Sequence, residues 1–244
     1  NLMIDRLKKQ QDKLLTTERH EAWESVARKL AHEIKNPLTP IQLSIDRLRE
    51  KYSNKISGEA IEFEKYLETI NRQIKDIEKL VNEFSNFARM PRPIFKKLNI
   101  LNVINRSVDF IKMSSKNNIE VKHNDKNQII NGDEEQLNRV FINLIKNSEE
   151  AFLEKIKKNP DFKGKISIEI NSNKDYIVVK LTDNGTGISN TKKAMTPYFT
   201  TKTKGTGLGL PVVSKIINEH LGDFSIKNKL KNEGTEIEIS FPKK

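Results

Sequence analysis

The sequence predicts a protein of two domains: an all-α helical hairpin that pairs into a dimeric four-helix bundle, followed by an α+β two-layer sandwich. The first observation is an apolar repeat with steps of three and four residues, which occupies roughly the first third of the chain. The second is a change to mixed helix and strand periods beyond it. The third is the segment Met90-Pro91-Arg92-Pro93, which cannot continue a helix and therefore marks the domain boundary.

The first helical segment is predicted to run from Leu2 to about Tyr52, as one helix or two joined ones. Leu7 and Leu14 are seven residues apart, a spacing typical of a coiled coil. One apolar stripe then follows at three- and four-residue steps: Val26, Leu30, Ile34, Leu38, Ile41, Ile45, Leu48 and Tyr52. Two prolines, at positions 37 and 40, interrupt this stripe and should bend the helix.

A second helix is predicted from Ile61 to about Ala88, after a polar break at Ser53–Gly58. Two long helices joined by a short turn form an antiparallel hairpin. A single hairpin exposes an apolar stripe that it cannot bury alone, and dimerisation into a four-helix bundle removes this exposure. We therefore divide the first part into a coiled-coil segment (residues 1–20) and a dimerisation domain (residues 21–90).

The second domain is predicted to cover residues 91–244. Its helices are Leu101–Ser115, Glu134–Lys158, which Asp133 can cap, and Leu208–Leu221. Its strands form two antiparallel pairs: Lys165–Asn171 with Tyr176–Thr182, and Asp223–Lys229 with Thr235–Phe241. Consecutive strands joined by short turns, with helices between other segments, indicate a sheet with helices on one face.

Composition excludes several classes of function. The chain has no cysteine, so disulfide and thiol chemistry are excluded, and no apolar run approaches the length of a membrane span. The net charge of +11 could indicate binding to nucleic acid, to an anionic membrane surface or to a phosphate-rich ligand. The basic residues are scattered lysines mixed with asparagine, without an aromatic-interleaved stripe, so we predict no nucleic-acid partner.

Two glycine-rich segments are candidate ligand loops. Asp183-Asn184-Gly185-Thr186-Gly187 follows a hydrophobic strand, where Gly185 and Gly187 would let the backbone approach a flat ligand and Asp183 could accept a hydrogen bond from an exocyclic amine such as that of adenine. The same residues could simply form a turn. Gly205-Thr206-Gly207-Leu208-Gly209-Leu210 opens a helix, whose free N–H groups attract phosphate.

A third segment, Ala-His-Glu-Ile-Lys-Asn-Pro-Leu-Thr-Pro at residues 31–40, contains a candidate nucleophile. The His32 imidazole can attack through one ring nitrogen while a neighbouring carboxylate, here Glu33, accepts the proton on the other. Alternatively, the histidine is an ordinary surface residue of a bundle helix, and Asn36 is one of many polar residues that can precede Pro37.

Taken in order along the chain, these motifs resemble those of bacterial two-component sensor histidine kinases. Asn143 and Asn147, the segment from Asp183 to Gly187 and the segment from Gly205 to Leu210 resemble the N, G1 and G2 boxes of the GHKL (Bergerat) ATPase fold, shared with gyrase, Hsp90 and MutL. Gly234-Thr235 resembles the G3 element, and Phe199 lies where the family has its F box, on the lid over the nucleotide. The His32 segment with Pro-Tyr-Phe-Thr-Thr-Lys is most similar to the nitrogen-regulation NtrY branch.

The resemblance implies a role for each matched residue. ATP and Mg²⁺ are the implied cofactors: Asn147 would coordinate the metal, with Asn143 one helical turn earlier, and Lys202 and Lys204 could face the phosphates or remain solvated. His32 would be the phosphoacceptor and Glu33 its general base. Asn36 would orient a water molecule that dephosphorylates the partner response regulator.

The implied function is Mg-ATP-dependent autophosphorylation of His32 and transfer to an aspartate of a response regulator, with NtrX-like receiver domains as the partner implied by the resemblance. The chain begins at Asn1 and looks like a piece of a longer protein, so we expect any membrane attachment to lie in a segment absent from it, with this piece on the cytoplasmic side of the inner membrane. The alternative is a non-catalytic dimeric nucleotide-binding scaffold.

Overall fold

A computed structural model describes residues 30–31, 33–53, 60–88, 90–191, 193–202, 205–229 and 234–243. The predicted coiled coil over residues 1–20, the phosphoacceptor candidate His32 and the phosphate-site candidate Lys204 lie outside these residues. The chain divides into two compact units, Asn1–Pro91 and Arg92–Lys244.

The described part of the first unit consists of two helices. Helix α1 covers residues 33–52, with residues 30–31 also helical, and α2 covers Ala60–Ala88. The buried side chains on their facing sides come from both helices: Leu38, Ile45, Leu67 and Ile74. Phe63 packs against this cluster. The helices are amphipathic at the predicted period, so one stripe of each is buried against the other.

Two polar contacts between the helices show that they are antiparallel. Gln42 Nε2 donates to Asn71 Oδ1 at 2.7 Å, and Arg49 Nε forms an ion pair with Glu64 at 3.1 Å. Rising residue numbers on α1 therefore meet falling numbers on α2. Helix α1 continues through both prolines, so they do not end it; the predicted bend remains a prediction.

The second unit contains a five-stranded sheet in the order β2-β4-β5-β7-β6. Its strands are β2 Asn118–His123, β4 Lys165–Ser172, β5 Tyr176–Asp183, β6 Asp223–Asn228 and β7 Thr235–Pro242. Strands β2 and β4 are parallel, and the other neighbours are antiparallel. The short strands β1 (Lys96–Asn99) and β3 (Ile129–Gly132) form a separate antiparallel pair.

Three helices pack on the sheet: α3 Ile100–Lys112, α4 Glu134–Lys158 and α5 Gly209–Glu219. Alternate residues of the central strands are buried under them while their neighbours are partly exposed, as expected for a sheet covered on one face. The Asp133 side chain accepts from Gln136 N and caps α4, as predicted. The predicted α+β two-layer fold is thus confirmed, with β1, β2 and β3 as additional strands.

His220 lies at the C-terminus of α5 and contacts the N-terminus of α4. Its Nε2 accepts from the backbone N–H of Asp133 at 2.9 Å, and its Nδ1 lies 2.8 Å from the carbonyl oxygen of Ile216, so the proton of the neutral ring belongs on Nδ1. Burial lowers the pKa of His220, although the Ile216 carbonyl and the Asp133 carboxylate oppose this shift. The neutral ring therefore connects the C-terminus of α5 to the N-terminus of α4.

Candidate functional site

The centre of the candidate site is Asp183, the last residue of β5. Its carboxylate is buried, and Oδ1 accepts from the backbone N–H groups of Gly185 at 2.8 Å and Thr235 at 3.1 Å. Its Oδ2 accepts from Ser148 Oγ of α4 at 3.2 Å. A carboxylate has about four acceptor positions, so these three donors fix the group and leave capacity for a ligand N–H.

Glycines at two predicted positions let the backbone close around this carboxylate. A Cβ on Gly234, whose φ is +119°, would lie 2.0 Å from the Asp183 carbonyl oxygen. A Cβ on Gly185 would lie 2.6 Å from Cβ of Ala151 on α4. Since real Cβ atoms do not approach so closely, these positions accept only glycine without a shift of the backbone. The segment after β5 is therefore packed against both β7 and α4.

The chain beyond Gly187 is held by a residue that the sequence did not single out. The Asn228 side chain of β6 accepts from the Ile188 N–H at 2.8 Å and donates to the Ile188 carbonyl at 2.7 Å. Gly187 has a φ of +76°, a left-handed conformation that glycine adopts without strain. Both features fix the direction in which the chain leaves the Asp183 segment.

Helix α4 brings a second group of predicted residues together. Asn143 and Asn147 are both half-buried one helical turn apart, and Lys202 Nζ lies 3.3 Å from Asn147 Oδ1. Lys202 also forms an ion pair with Glu150, one turn beyond Asn147. Gly209, the first residue of α5, faces the same amide, because a Cβ built there would lie 3.8 Å from Asn147 Nδ2.

The N-terminus of α5 supplies free donors next to Asn147. The N–H groups of a first helical turn have no acceptor within their own helix, and the Leu208 cap provides no side-chain hydrogen bond. Pro211 lies in this first turn, where its missing N–H removes no helical bond. The preceding Gly207 has a φ of +69°, and its carbonyl accepts from Tyr198 N at 3.1 Å.

The predicted lid residue Phe199 is half-buried, and its N–H donates to the carbonyl of Thr196 at 3.2 Å. Since Tyr198 bonds Gly207 directly, the Phe199 segment is tied to the glycine-rich loop that precedes α5. Gly205 and Thr206, also in that loop, are half-buried.

The donor set near Asn147 fits a hard cation that keeps much of its hydration. Among the described residues, no group of three or more His, Cys, Asp or Glu side chains forms a ready metal cluster. The Asn147 oxygen already lies against one cation, the Lys202 ammonium. Mg²⁺ takes few protein ligands and relies on water and phosphate oxygens, so a single amide is an adequate protein contribution.

In the first unit, Glu33 and Asn36 are both exposed on α1, three residues apart and therefore on neighbouring positions of one face. Within the part of the chain that the structure describes, no helix is both long and apolar enough to cross a bilayer.

Two family models match the chain. Residues 132–244 match the histidine kinase-, DNA gyrase B- and HSP90-like ATPase family, and residues 22–93 match the His Kinase A (phospho-acceptor) domain. The first range includes every nucleotide-site candidate, and the second includes His32, Glu33 and Asn36.

Relatives match over almost the whole chain. A protein of Rickettsia prowazekii described as NtrY-like sensor histidine kinase is 39% identical over 99% of this chain and 39% of its own length. The nitrogen regulation protein NtrY of Azorhizobium caulinodans is 35% identical over 93% of this chain and 30% of its own length. The chain thus spans about two fifths or less of these relatives.

Solved structures have the same fold. The catalytic domain of histidine kinase ThkA matches with a TM-score of 0.53 and 26% identity, over 62% of this chain and 96% of that domain. ThkA in complex with the response regulator protein TrrA matches 98% of this chain and 67% of that one, with a TM-score of 0.63 and 22% identity. The chain belongs to the two-component sensor histidine kinase family, in its NtrY-like branch.

Proposed function

We propose that this chain is the catalytic core of a sensor histidine kinase, in which the second unit binds Mg-ATP and the first unit accepts the γ-phosphoryl group on His32. The observation that carries the proposal is the pair of fixed groups on α4: Ser148 bonds the buried Asp183 carboxylate, while Asn147 lies beside the start of α5. One end of this site suits an adenine amine, and the other suits phosphates and a metal.

Each residue of the nucleotide site then has a distinct task. Asp183 accepts a hydrogen bond from the adenine amine, with its orientation fixed by Gly185 and Thr235. The free N–H groups at the start of α5 and the Lys202 ammonium bind phosphate oxygens. Asn147 would hold Mg²⁺, which supplies charge neutralisation at the phosphates when bound.

The transfer step requires little more than alignment. Nε2 of a neutral His32 attacks the γ-phosphorus, the bond to the bridging oxygen breaks, and ADP leaves. Glu33 accepts the proton from Nδ1, so the phosphorylated ring is neutral. An aspartate of a response regulator then takes the phosphoryl group from Nε2 in a second transfer. We propose an NtrX-like receiver domain as this partner, because the relatives are NtrY-like.

We also propose that Asn36 supports dephosphorylation of the regulator. Its exposed amide lies one helical turn after position 32 and can hold a water through its donor and acceptor atoms. Asn36→Ala should keep most of the autophosphorylation and lose the phosphatase activity, whereas Glu33→Ala should slow the kinase step. Equal dephosphorylation of purified phosphorylated regulator by wild type and Asn36→Ala would disprove this role.

We further propose that the first unit forms a homodimer. A second apolar stripe, left exposed by the hairpin, lies beside its buried one at seven-residue intervals: Ile34, Ile41 and Leu48 on α1, with Ile70 and Ile77 on α2. Each of these side chains is 41–45% exposed within one chain. A second copy would bury them in a four-helix bundle. We also propose that, in the full-length protein, this core lies on the cytoplasmic side of the inner membrane.

Incubation with γ-labelled ATP and Mg²⁺ tests the proposed activity. Wild type should take up a label that is lost in acid and kept in alkali, as expected of a phosphoramidate, and His32→Ala should take up none. His123→Ala, which changes an exposed histidine of β2, is the matched control and should label normally. Labelling of the His32→Ala variant would refute the assignment.

A further inference from the structure

Lys202 contacts two residues of α4, Asn147 and Glu150. No motif predicted Glu150. It lies on α4 three residues after Asn147, so the two side chains are neighbours on one helix face. The Lys202 ammonium contacts both of them, through an ion pair with Glu150 and a 3.3 Å hydrogen bond to Asn147 Oδ1. All three groups thus meet, and the Asn147 amide also faces Gly209 at the start of α5.

The contact uses two groups that the proposed ATP site also needs. Asn147 Oδ1 is the proposed metal ligand, and an ammonium beside it repels an incoming divalent cation. Lys202 is a proposed phosphate ligand, and the Glu150 carboxylate offsets much of its charge. Both side chains of the ion pair are partly exposed, at 34% and 52%, so the pair is weak enough to be exchanged.

We propose that Glu150 is a positioning residue that holds Lys202 against Asn147, so that magnesium and a polyphosphate bind in competition with this contact. The inference rests on the proposed ATP site. Binding would separate Lys202 from Asn147 and turn its ammonium toward the phosphates, while Glu150 keeps the displaced side chain close to α4. The contact therefore opposes nucleotide binding. It also holds the lysine near the position that the phosphates would occupy.

Removing the carboxylate therefore strengthens polyphosphate binding. In Glu150→Gln the full chain should bind MgADP about two- to fivefold more tightly in isothermal titration, the range expected for loss of a partly exposed ion pair. Binding of adenosine, which has no phosphate, should not change. MgADP is used because it is not turned over.

A matched control comes from the same helix. Glu134 is 51% exposed and forms an ion pair with Arg106, and it precedes Glu150 by 16 residues. That separation is about 24 Å along the helix, well beyond the Debye length at physiological salt. Glu134→Gln removes the same charge from a similar ion pair and should leave MgADP binding unchanged.

A double-mutant cycle with Lys202→Met separates positioning from simple repulsion between Glu150 and phosphate. If Glu150 acts through Lys202, Glu150→Gln has no effect in the Lys202→Met background. The inference is overturned if the gain persists there, if Glu150→Gln alone gives no gain, or if it weakens binding. Failure of wild type to bind MgADP at all would instead remove the proposed ATP site, which distinguishes the two outcomes.

Discussion

The two units of this chain bury their apolar residues to different extents. In the second unit, large side chains from α4 and from the central strands are fully buried: Phe141, Leu144, Ile166, Ile168 and Phe241 are at most 1% exposed. In the first unit, only one stripe of each helix is buried, and the neighbouring stripe remains open. The second unit therefore has a complete core of its own, whereas the first leaves a stripe that the proposed second copy would bury.

The same contrast extends to polar groups. The Asp183 carboxylate is fixed by three donors from different elements, whereas Glu33 and Asn36 are exposed on a single helix. A site that must recognise one nucleotide benefits from fixed groups, since ordering them costs nothing at binding. An exposed face such as that of Glu33 and Asn36 can instead meet the two successive partners proposed for it, an ATP-loaded domain and a receiver domain.

The largest expected effect is in the core of the second unit. Phe141→Ala should lower the free energy of unfolding by about 3–5 kcal/mol, because Phe141 is fully buried and leaves a cavity. Phe110 of α3 is 54% exposed, so Phe110→Ala should cost less than about 1 kcal/mol. Urea unfolding of residues 92–244 measures both, with a midpoint independent of protein concentration. Equal losses from the two variants would show that the core is not where the burial places it.

The next effect concerns the open stripe of the first unit. Ile41→Asp should weaken dimerisation by about 2 kcal/mol or more, since it puts a charge in the centre of the proposed interface. Leu43→Asp is the control: Leu43 is on the same helix and also exposed, but 200° around its axis from Ile41. Sedimentation equilibrium of residues 1–91 reports the dimer. Dissociation by Leu43→Asp with no effect of Ile41→Asp would move the interface to the other face.

A smaller effect is expected at Asp183, the proposed adenine contact. Asp183→Asn replaces an acceptor-only group by one with an NH₂, which cannot accept all the present hydrogen bonds as well as one from adenine. Affinity for ATP should fall by about 1.5–3 kcal/mol, and the preference for ATP over GTP should shrink. Asp223→Asn, an exposed change at the start of β6, should alter neither. An unchanged nucleotide preference in Asp183→Asn would count against this contact.

The smallest predicted effect depends on pH and belongs to the second unit alone. Burial lowers the pKa of His220 in the folded state, so the unfolded state takes up its proton first as the pH falls. The contribution of His220 to the free energy of unfolding is therefore fully present above its unfolded-state pKa of about 6.5, and it is lost as the pH falls through its folded-state pKa. Urea unfolding from about pH 7.5 to about pH 5.5 should reveal this loss, and His220→Gln should remove most of it. An unchanged pH dependence in that variant would mean that other groups cause it.

Most helices and strands could be predicted from the sequence because their apolar periods are strong. Examples are the strand pairs β4–β5 and β6–β7, the α4 cap at Asp133 and the helix after Gly207. Strand β2 was missed because it is an edge strand with a single buried side chain, and β1 has none. In the described part of the sheet, β2 pairs only with β4, which is parallel to it and distant in sequence, so no local turn reveals the pairing.

The candidate site could be predicted only where a motif contains its residues. The motifs include Asp183 at the end of β5, Asn147 on α4 and Gly209 at the start of α5. Asn228 and Glu150 belong to no motif, since their contacts depend on side-chain pairings between elements that the fold brings together. Ser148 directly follows Asn147, but only its burial against Asp183 distinguishes it from an ordinary helical serine.

The most direct test of the account asks which unit receives the phosphoryl group. A protease site is inserted at the boundary between Pro91 and Arg92, and the chain is labelled with γ-labelled ATP and Mg²⁺, cleaved and separated under alkaline conditions. We predict that the label lies entirely on the fragment of residues 1–91, while a photoreactive ATP analogue attaches only to residues 92–244. Phosphoryl label on the fragment of residues 92–244 would contradict the division of nucleotide binding and phosphoryl acceptance between the two units.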